Sequence, residues 1–234
     1  MSESTPSTAR GVVPARDEGI PGVVGTRSGL FGDDHGSAEV SGFGVIDEVV
    51  YAPPASAPPY GGWFDLVARR LRQLFPSAVT QVVVYRGEIT FYVERRALPD
   101  LVRELRDDDT LRFEALMSVS GVHYPAQTGH EFHVVYDLLS MTHNRRIRLE
   151  TTCPAADPHV PSVTPTYPMA NYDEREVWDM FGVIFDGHPG LTRILMPDDW
   201  VGHPQRKDYP LGGIPVEFKG AVVPPVDERG GRRP

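Results

Sequence analysis

The chain has 234 residues, 40% of them apolar and 24% charged, with a net charge of −9 at pH 7. That is enough for one full hydrophobic core and an ordinary globular balance, and the acidic excess argues against nucleic acid as the main partner, because phosphates call for a basic face. One cysteine, Cys153, excludes a disulfide framework and any iron–sulfur or zinc site built from this chain's cysteines alone; no run of 18 apolar residues predicts a membrane span, and the first residues lack the basic and apolar regions of a signal peptide, which points to the cytoplasm.

Residues 1–60 are rich in Ser, Gly, Pro and Ala and show neither a helical nor a strand period. They read as a disordered or extended N-terminal arm, either a bare extension or a segment that orders on a partner. Short apolar patches such as Val23-Val24 or Val45-Ile46 could dock on something larger.

A folded core is expected from Gly61 to Cys153. Trp63, Val67, Leu71 and Leu74 fall on one helical face, opposite Arg69, Arg70 and Gln73, and Pro76 blocks continuation. Thr80–Tyr85 and Ile89–Val93 read as strands joined through Arg86-Gly87-Glu88. Pro99 opens a second helix, Asp100–Asp107, with Leu101 and Leu105 four apart. Three further strands follow. Leu111, Phe113, Ala115, Met117 and Val119 alternate; so do Phe132, Val134, Tyr136 and Leu138; and Ile147, Leu149 and Thr151 alternate with Arg146, Arg148 and Glu150. The order α-β-β-α-β-β-β predicts an α+β domain of two layers, helices on a largely antiparallel sheet. No Gly-rich loop joins a strand to a helix, so a Rossmann or P-loop nucleotide site is not expected.

Pro154 to Pro168 holds five prolines, and residues 154–170 are expected as an extended linker. Residues 171–211 are the densest run of aromatic, Gly-Pro and paired-charge residues. Asn171 and Glu174 have the spacing of a capping box. Val177, Trp178, Phe181 and Ile184 form an apolar stripe, Arg175 and Asp179 stand four apart as an expected ion pair, and Gly182 is placed to end the helix. Gly-His-Pro then occurs twice, at 187–189 and 202–204, around Leu191-Thr-Arg-Ile-Leu-Met-Pro197. The tail, 212–234, is again Gly- and Pro-rich and is not expected to fold alone.

His188 and His203 have Asp186, Asp198, Asp199 and Asp208 in nearby sequence. A metal centre needs three or four converging ligands, and rigid turns explain the repeat without one; a free-standing metal-dependent enzyme using these histidines is the alternative of another class. Cys153, at a strand end, reads as structural. His123, His130, His133 and His143 flank the third and fourth strands without a Ser-His-Asp or Cys-His arrangement. No catalytic, cofactor-binding or metal residue is assigned. The segment after the helix is too extended to form its own core, so Ile194, Leu195, Met196, Trp200 and Tyr209 must cover something, either the core domain or a second protein.

Glu174-Arg-Glu-Val-Trp-Asp-Met-Phe-Gly182, followed by Gly187-His-Pro189, Arg193-Ile-Leu195, Pro197, Asp199-Trp200, Gly202-His-Pro204 and Arg206-Lys-Asp-Tyr-Pro-Leu211, resembles the family of thirty-kilodalton-type subunits (the bacterial C subunits) of respiratory complex I, the NADH–quinone oxidoreductase. The resemblance implies a non-catalytic structural component of the peripheral arm, lying on the cytoplasmic face of the bacterial inner membrane. It implies no cofactor in this chain, with FMN and iron–sulfur clusters in partner subunits. The implied partners are the quinone-site (forty-nine-kilodalton-type, D) subunit, with the cluster-bearing B and I subunits nearby. Glu174, Arg175, Glu176, Trp178, Asp179, Phe181, Gly182, Arg193, Arg206, Lys207, Asp208 and Tyr209 carry over as interface and positioning residues, with His188, Trp200 and His203 beside them. Related scaffold subunits serve membrane-bound hydrogenases and factor-420-type dehydrogenases, which the motif separates poorly. His123 stands where an acidic residue is more usual in the family.

Overall fold

A computed structural model describes residues 53–209, together with the backbone of two strands further upstream. Those strands, β1 (Gly22–Ser28) and β2 (Asp47–Ala52), pair antiparallel, so the N-terminal arm is not wholly without regular structure. The rest of that arm up to residue 52, and the C-terminal tail, lie outside the described residues.

The core starts earlier than Gly61. Tyr60 is buried, and Ser56 sits against the free edge of β3 (Val79–Tyr85). The Ser56 amide donates to the Val82 carbonyl (2.8 Å) and its Oγ accepts from the Val84 amide (2.9 Å). An otherwise open strand edge is thereby closed.

Helix α1 (Trp63–Leu74) buries Phe64, Val67, Ala68 and Leu71, a stripe at helical spacing. Strands β3 and β4 (Glu88–Val93) form a hairpin whose two turn residues, Arg86 and Gly87, both have positive φ (50° and 77°), the requirement of a type I′ turn. Helix α2 (Leu98–Asp107) begins with Pro99 in its first turn and buries Leu98, Leu101, Val102 and Leu105. Then come β5 (Ala115–His123), β6 (Phe132–Ser140) and β7 (Arg145–Cys153).

These five strands make one sheet in the order β3-β4-β7-β6-β5. All pairs are antiparallel except β4–β7, where Thr90, Phe91 and Tyr92 lie beside Arg148, Leu149 and Glu150 in parallel. The α+β architecture follows the expected order. Residues from α1 and α2 share one core with Ile89, Phe91, Phe132, Val134, Tyr136 and Leu149. The alternate residues of these strands carry charge instead: Arg148 donates to Glu88 and Asp137, each at 3.1 Å.

The alternation expected from Leu111 to Val119 breaks at Met117. A register shift between Leu116 and Ser118 inserts a bulge, which buries Leu116 and leaves Met117 45% exposed. Leu111 and Phe113 are buried but precede the strand.

Residues 154–170 are extended only in part and are packed into the core. β8 (His159–Pro161) pairs in parallel with β9 (Ile184–Asp186), and Val160, Val163, Tyr167 and Ala170 are buried. The Tyr167 hydroxyl donates to the Phe113 carbonyl (2.6 Å). Apolar residues between the prolines therefore dock on the domain.

Helix α3 (Ala170–Phe181) lies across β5. Contact is close because Gly121 has no side chain: a Cβ there would stand 2.6 Å from the Phe181 ring. The Asp173 carboxylate accepts the Val119 amide (2.9 Å), so α3 also caps an amide of the opposite edge strand.

Candidate functional site

The residues singled out in the motif form one continuous assembly around α3. The helix does not use Asn171 as its cap: the N-cap position is Met169, with no side-chain cap bond. Glu174, at the right spacing for a capping box, is fully buried and turned away. It accepts from the Ser162 hydroxyl (2.6 Å), the Val163 amide (2.8 Å) and the Thr164 hydroxyl (3.2 Å). Burial raises its pKa above the ordinary 4.5, and those three donors work against that rise. Gly182 ends the helix in the left-handed conformation, φ 80°, its amide bonded to the Trp178 carbonyl.

Arg175 and Asp179 do not pair with each other. Arg175 donates to the carbonyls of Thr192 (3.1 Å) and Arg193 (2.8 Å). Asp179 is fully buried and pairs with Arg193, Nη1 to Oδ1 at 2.5 Å. Its other oxygen accepts three successive backbone amides, from Ile194 (3.1 Å), Leu195 (2.8 Å) and Met196 (2.9 Å). Burial pushes this carboxyl up, but the Met196 amide, the Arg193 guanidinium and the amides of Ile194 and Leu195 outweigh it, so its pKa lies below the ordinary 3.8. A nest of amides plus a guanidinium is a stronger host than one neighbour on a helix face.

Arg193 is spent threefold. Its Nη2 donates to the carbonyls of Trp200 (2.7 Å) and Gly202 (3.1 Å), and its guanidinium lies 5.6 Å from the Trp178 ring centre. The loop from Arg193 to Gly202 is closed through that one side chain.

The two Gly-His-Pro turns fasten the extended segment that follows α3, residues 187–209, as a strap at two places on the helix. His188 Nε2 donates to the Asn171 carbonyl (3.1 Å) while its Nδ1 accepts the Gly190 amide (3.0 Å). His203 Nδ1 donates to the Asp179 carbonyl (3.0 Å). About 12 Å of helix separates the two carbonyls. The Gln205 amide takes the next carbonyl, Met180 (3.0 Å), so the strap satisfies helix-end acceptors that have no partner within the helix. Both imidazoles are committed to the backbone at separate points. No group of three or more His, Cys, Asp or Glu among the described residues is arranged to hold a metal ion.

The strap ends on β5 and β6. The Lys207 amide donates to His123 Nδ1 (3.0 Å). The His123 ring is buried and stacked on Phe132, and Arg206 lies over that same Phe132 ring at 5.0 Å. Arg206 also holds Asp208 (3.0 Å). The Tyr209 ring packs on Gly202, where a Cβ would stand 2.6 Å away, and its hydroxyl donates to the Val201 carbonyl (3.2 Å).

Glu174, Asp179 and Phe181 face inward, so whatever part they play in an interface is to shape it. Trp178 is half-buried between Arg193 and His203. Glu176 is exposed. Sequence reasoning missed the partners: Ser162 and Thr164 for Glu174, Asp173 at the sheet edge, Gly121 and Gly202 as close-approach points. His123 stands out in the sequence only as a departure from a family pattern; in the fold it is the acceptor that fixes the strap's end. Cys153 is buried, and burial pushes its thiol up to about 12, the state of an inert structural cysteine.

The outward face has the opposite character. Met169, Tyr172, Leu195 and Val201 are 52%, 64%, 58% and 86% exposed. Here a buried framework of hydrogen bonds holds apolar side chains in solvent. Residues 91–215 match the family of the respiratory-chain NADH dehydrogenase 30 Kd subunit. The chain is 57% identical over 211 residues to the C subunit of NADH-quinone oxidoreductase from a Nocardioides species, covering 88% of this chain and 84% of the relative. It is 55% identical over 216 residues to the corresponding C subunit from Mycobacterium tuberculosis, covering 89% and 91%. The chain belongs to this respiratory complex I subunit family, and its partners are other subunits of that complex. Among solved structures, a chain of the membrane-bound sulfane sulfur reductase, an archaeal respiratory membrane complex, shares the fold, with a TM-score of 0.55 and 24% identity over 64% of this chain and 87% of that one. No described helix is long and apolar enough to cross a membrane.

Proposed function

We propose that this chain is a non-catalytic structural component of the peripheral arm, supporting electron transfer from NADH to quinone by holding the quinone-site subunit in place. α3 and its strap are the docking element. The quinone-site D subunit is the main partner, and the B and I subunits lie nearby. The chain carries no flavin or cluster of its own; FMN and the clusters belong to its partners. It sits on the cytoplasmic face of the membrane, attached through the complex.

The observation that carries this reading is the division of labour in Ile194-Leu195. Their amides are locked inward on Asp179 while their side chains are 37% and 58% exposed. Ordering a segment costs about 1–2 kcal/mol per residue, and here the ordered product is an apolar surface. The related-hydrogenase alternative keeps the same scaffold role, but the relatives at 55–57% identity are named for NADH–quinone oxidoreductase.

The test is purification of a tagged full-length chain from its own cells, with flavin and iron measured in the eluate. Arg193→Ala is expected to reduce the yield of complex while leaving turnover per assembled complex unchanged. Normal yield with lost turnover would overturn the proposal, as would stoichiometric metal or NADH oxidation in the isolated chain.

A further inference from the structure

The loop between Arg193 and Gly202 has a composition that specifies more than a generic contact. Its base is rigid: Arg193 ties Asp179 to the carbonyls of Trp200 and Gly202, and Asp179 binds the amides of residues 194–196. A further backbone bond, from the Trp200 amide to the Pro197 carbonyl (3.0 Å), folds the tip into a turn. Ile194, Leu195 and Val201 project from this base, Val201 at 86% exposure. Asp198 and Asp199 stand in the same turn, both exposed, and neither makes an ion pair or hydrogen bond among the described residues. The one guanidinium within the loop is already used by Asp179 and two carbonyls.

We infer that this loop is a preorganised plug, apolar at its sides and doubly negative at its tip, and that it seats in an apolar depression bordered by arginine or lysine on the neighbouring subunit. The inference rests on the docking role proposed above and adds the chemistry of the surface that receives it. Two arguments select this occupant. Apolar residues held in water by a rigid base lose little conformational entropy when covered, so nearly all their burial favours binding. Two carboxylates that bind no cation among the described residues repel an anionic lipid surface and favour a basic rim, which also steers encounter.

The experiment uses the tagged full-length chain co-expressed with the rest of the complex, purified across a salt series, with iron and flavin per chain as the readout. Leu195→Asp is expected to lower co-purified iron and flavin tenfold or more, a loss of about 1.4 kcal/mol or greater. Its thermal midpoint should be unchanged, because Leu195 lies largely in solvent. The Asp198→Lys/Asp199→Lys double variant is expected to lower recovery and to reverse the salt dependence, assembling better as salt rises. Wild-type recovery for either variant overturns the inference. If both assemble normally while Arg193→Ala does not, the docking role stands and the plug chemistry fails. If the wild-type chain brings down no other subunit, both fail. Dimerisation of the isolated chain that is lost in Leu195→Asp overturns it in favour of a second copy; binding to phosphatidylglycerol vesicles lost in the same variant overturns it in favour of lipid.

Discussion

Asp179 and Arg193 meet at 2.5 Å, with 0% and 11% of their side chains exposed, and together they hold the segment that follows Gly182 against α3. One carboxylate on the inner side of a helix collects four donors from a segment that has no regular structure. Its nearest helical cation, Arg175, is left to bond the carbonyls of the same segment.

Removing that carboxylate strands a guanidinium and three amides. Asp179→Ala is expected to destabilise the native state by roughly 3 kcal/mol, the scale for breaking a buried pair from one side. Loss should concentrate in the strap. Trypsin cleavage after Arg193 should become fast under conditions where the α+β domain remains resistant. A variant with wild-type resistance at that bond would contradict the assigned role.

Gly182 and Gly187 separate conformation from packing. Both have positive φ, 80° and 82°. A Cβ at Gly182 would stand 2.6 Å from the His203 ring, whereas nothing lies within 4 Å of one at Gly187. Gly187→Ala is expected to cost about 1 kcal/mol, the left-handed penalty alone. Gly182→Ala should cost about 1–3 kcal/mol more, the overpacking range. Urea denaturation of the two variants checks this; equal losses would remove the His203 contact from the account.

His123 makes the strap's end sensitive to acid. Its Nδ1 accepts the Lys207 amide, so the ring must be unprotonated there. Burial lowers its pKa below the ordinary 6.5; Asp208 and Glu131 act to raise it, Arg206 and Lys207 to lower it further. A fold that favours the neutral ring has this contribution in full above about pH 6.5 and loses it as pH falls from there toward the folded-state value. Asparagine can accept the same amide without titrating. Between pH 8 and 5 the wild-type thermal midpoint should therefore fall more than that of His123→Asn. Parallel curves would show that His123 does not titrate with folding.

Glu174 has the opposite sign. Burial raises its pKa, so protonation is easier in the folded chain than in the unfolded one. Its contribution becomes more favourable as pH falls through the folded value toward 4.5. Glu174→Gln keeps an acceptor for the Val163 amide and is expected to lie within about 1 kcal/mol of wild type at pH 7. Glu174→Ala leaves the Val163 amide unsatisfied, takes the carboxylate from the Ser162 and Thr164 hydroxyls, and should cost about 2–3 kcal/mol. Chemical denaturation at pH 7 and pH 5 distinguishes these cases; a Gln variant as unstable as the Ala variant would mean the charge itself is required.

Local signals in the sequence are faithful where local physics decides. Helical spacing locates α1 and α2, Pro99 marks a helix start, and Arg86-Gly87 marks a hairpin. Long-range order is not written locally. Insertion of β7 between β4 and β6, with one parallel pair, depends on a crossover that no single segment encodes. The bulge at Leu116–Ser118 defeats a clean alternation because pairing with β6, not hydrophobicity, sets its register. In the site, Gly-His-Pro turns and the acid-base spacing are visible, but their partners are not. Glu174 at capping-box spacing finds three better donors in residues 162–164, and Arg175 loses Asp179 to Arg193 and an amide nest. Residues 154–170 read as a linker because prolines hide periodicity, although Val160, Val163 and Tyr167 bury fully enough to belong to the core.

The clips at Asn171 and Asp179 make α3 a length gauge for the segment beside it. A residue added within the helix between them would rotate Asp179 by about 100° and carry its carboxylate off the nest, so insertions there cannot be absorbed. A residue added at the tip, between Pro197 and Asp199, changes neither clip. A change in length is therefore tolerated by the fold only at the tip of the loop, where it would alter the surface proposed to meet a neighbour and not the framework that holds the loop out.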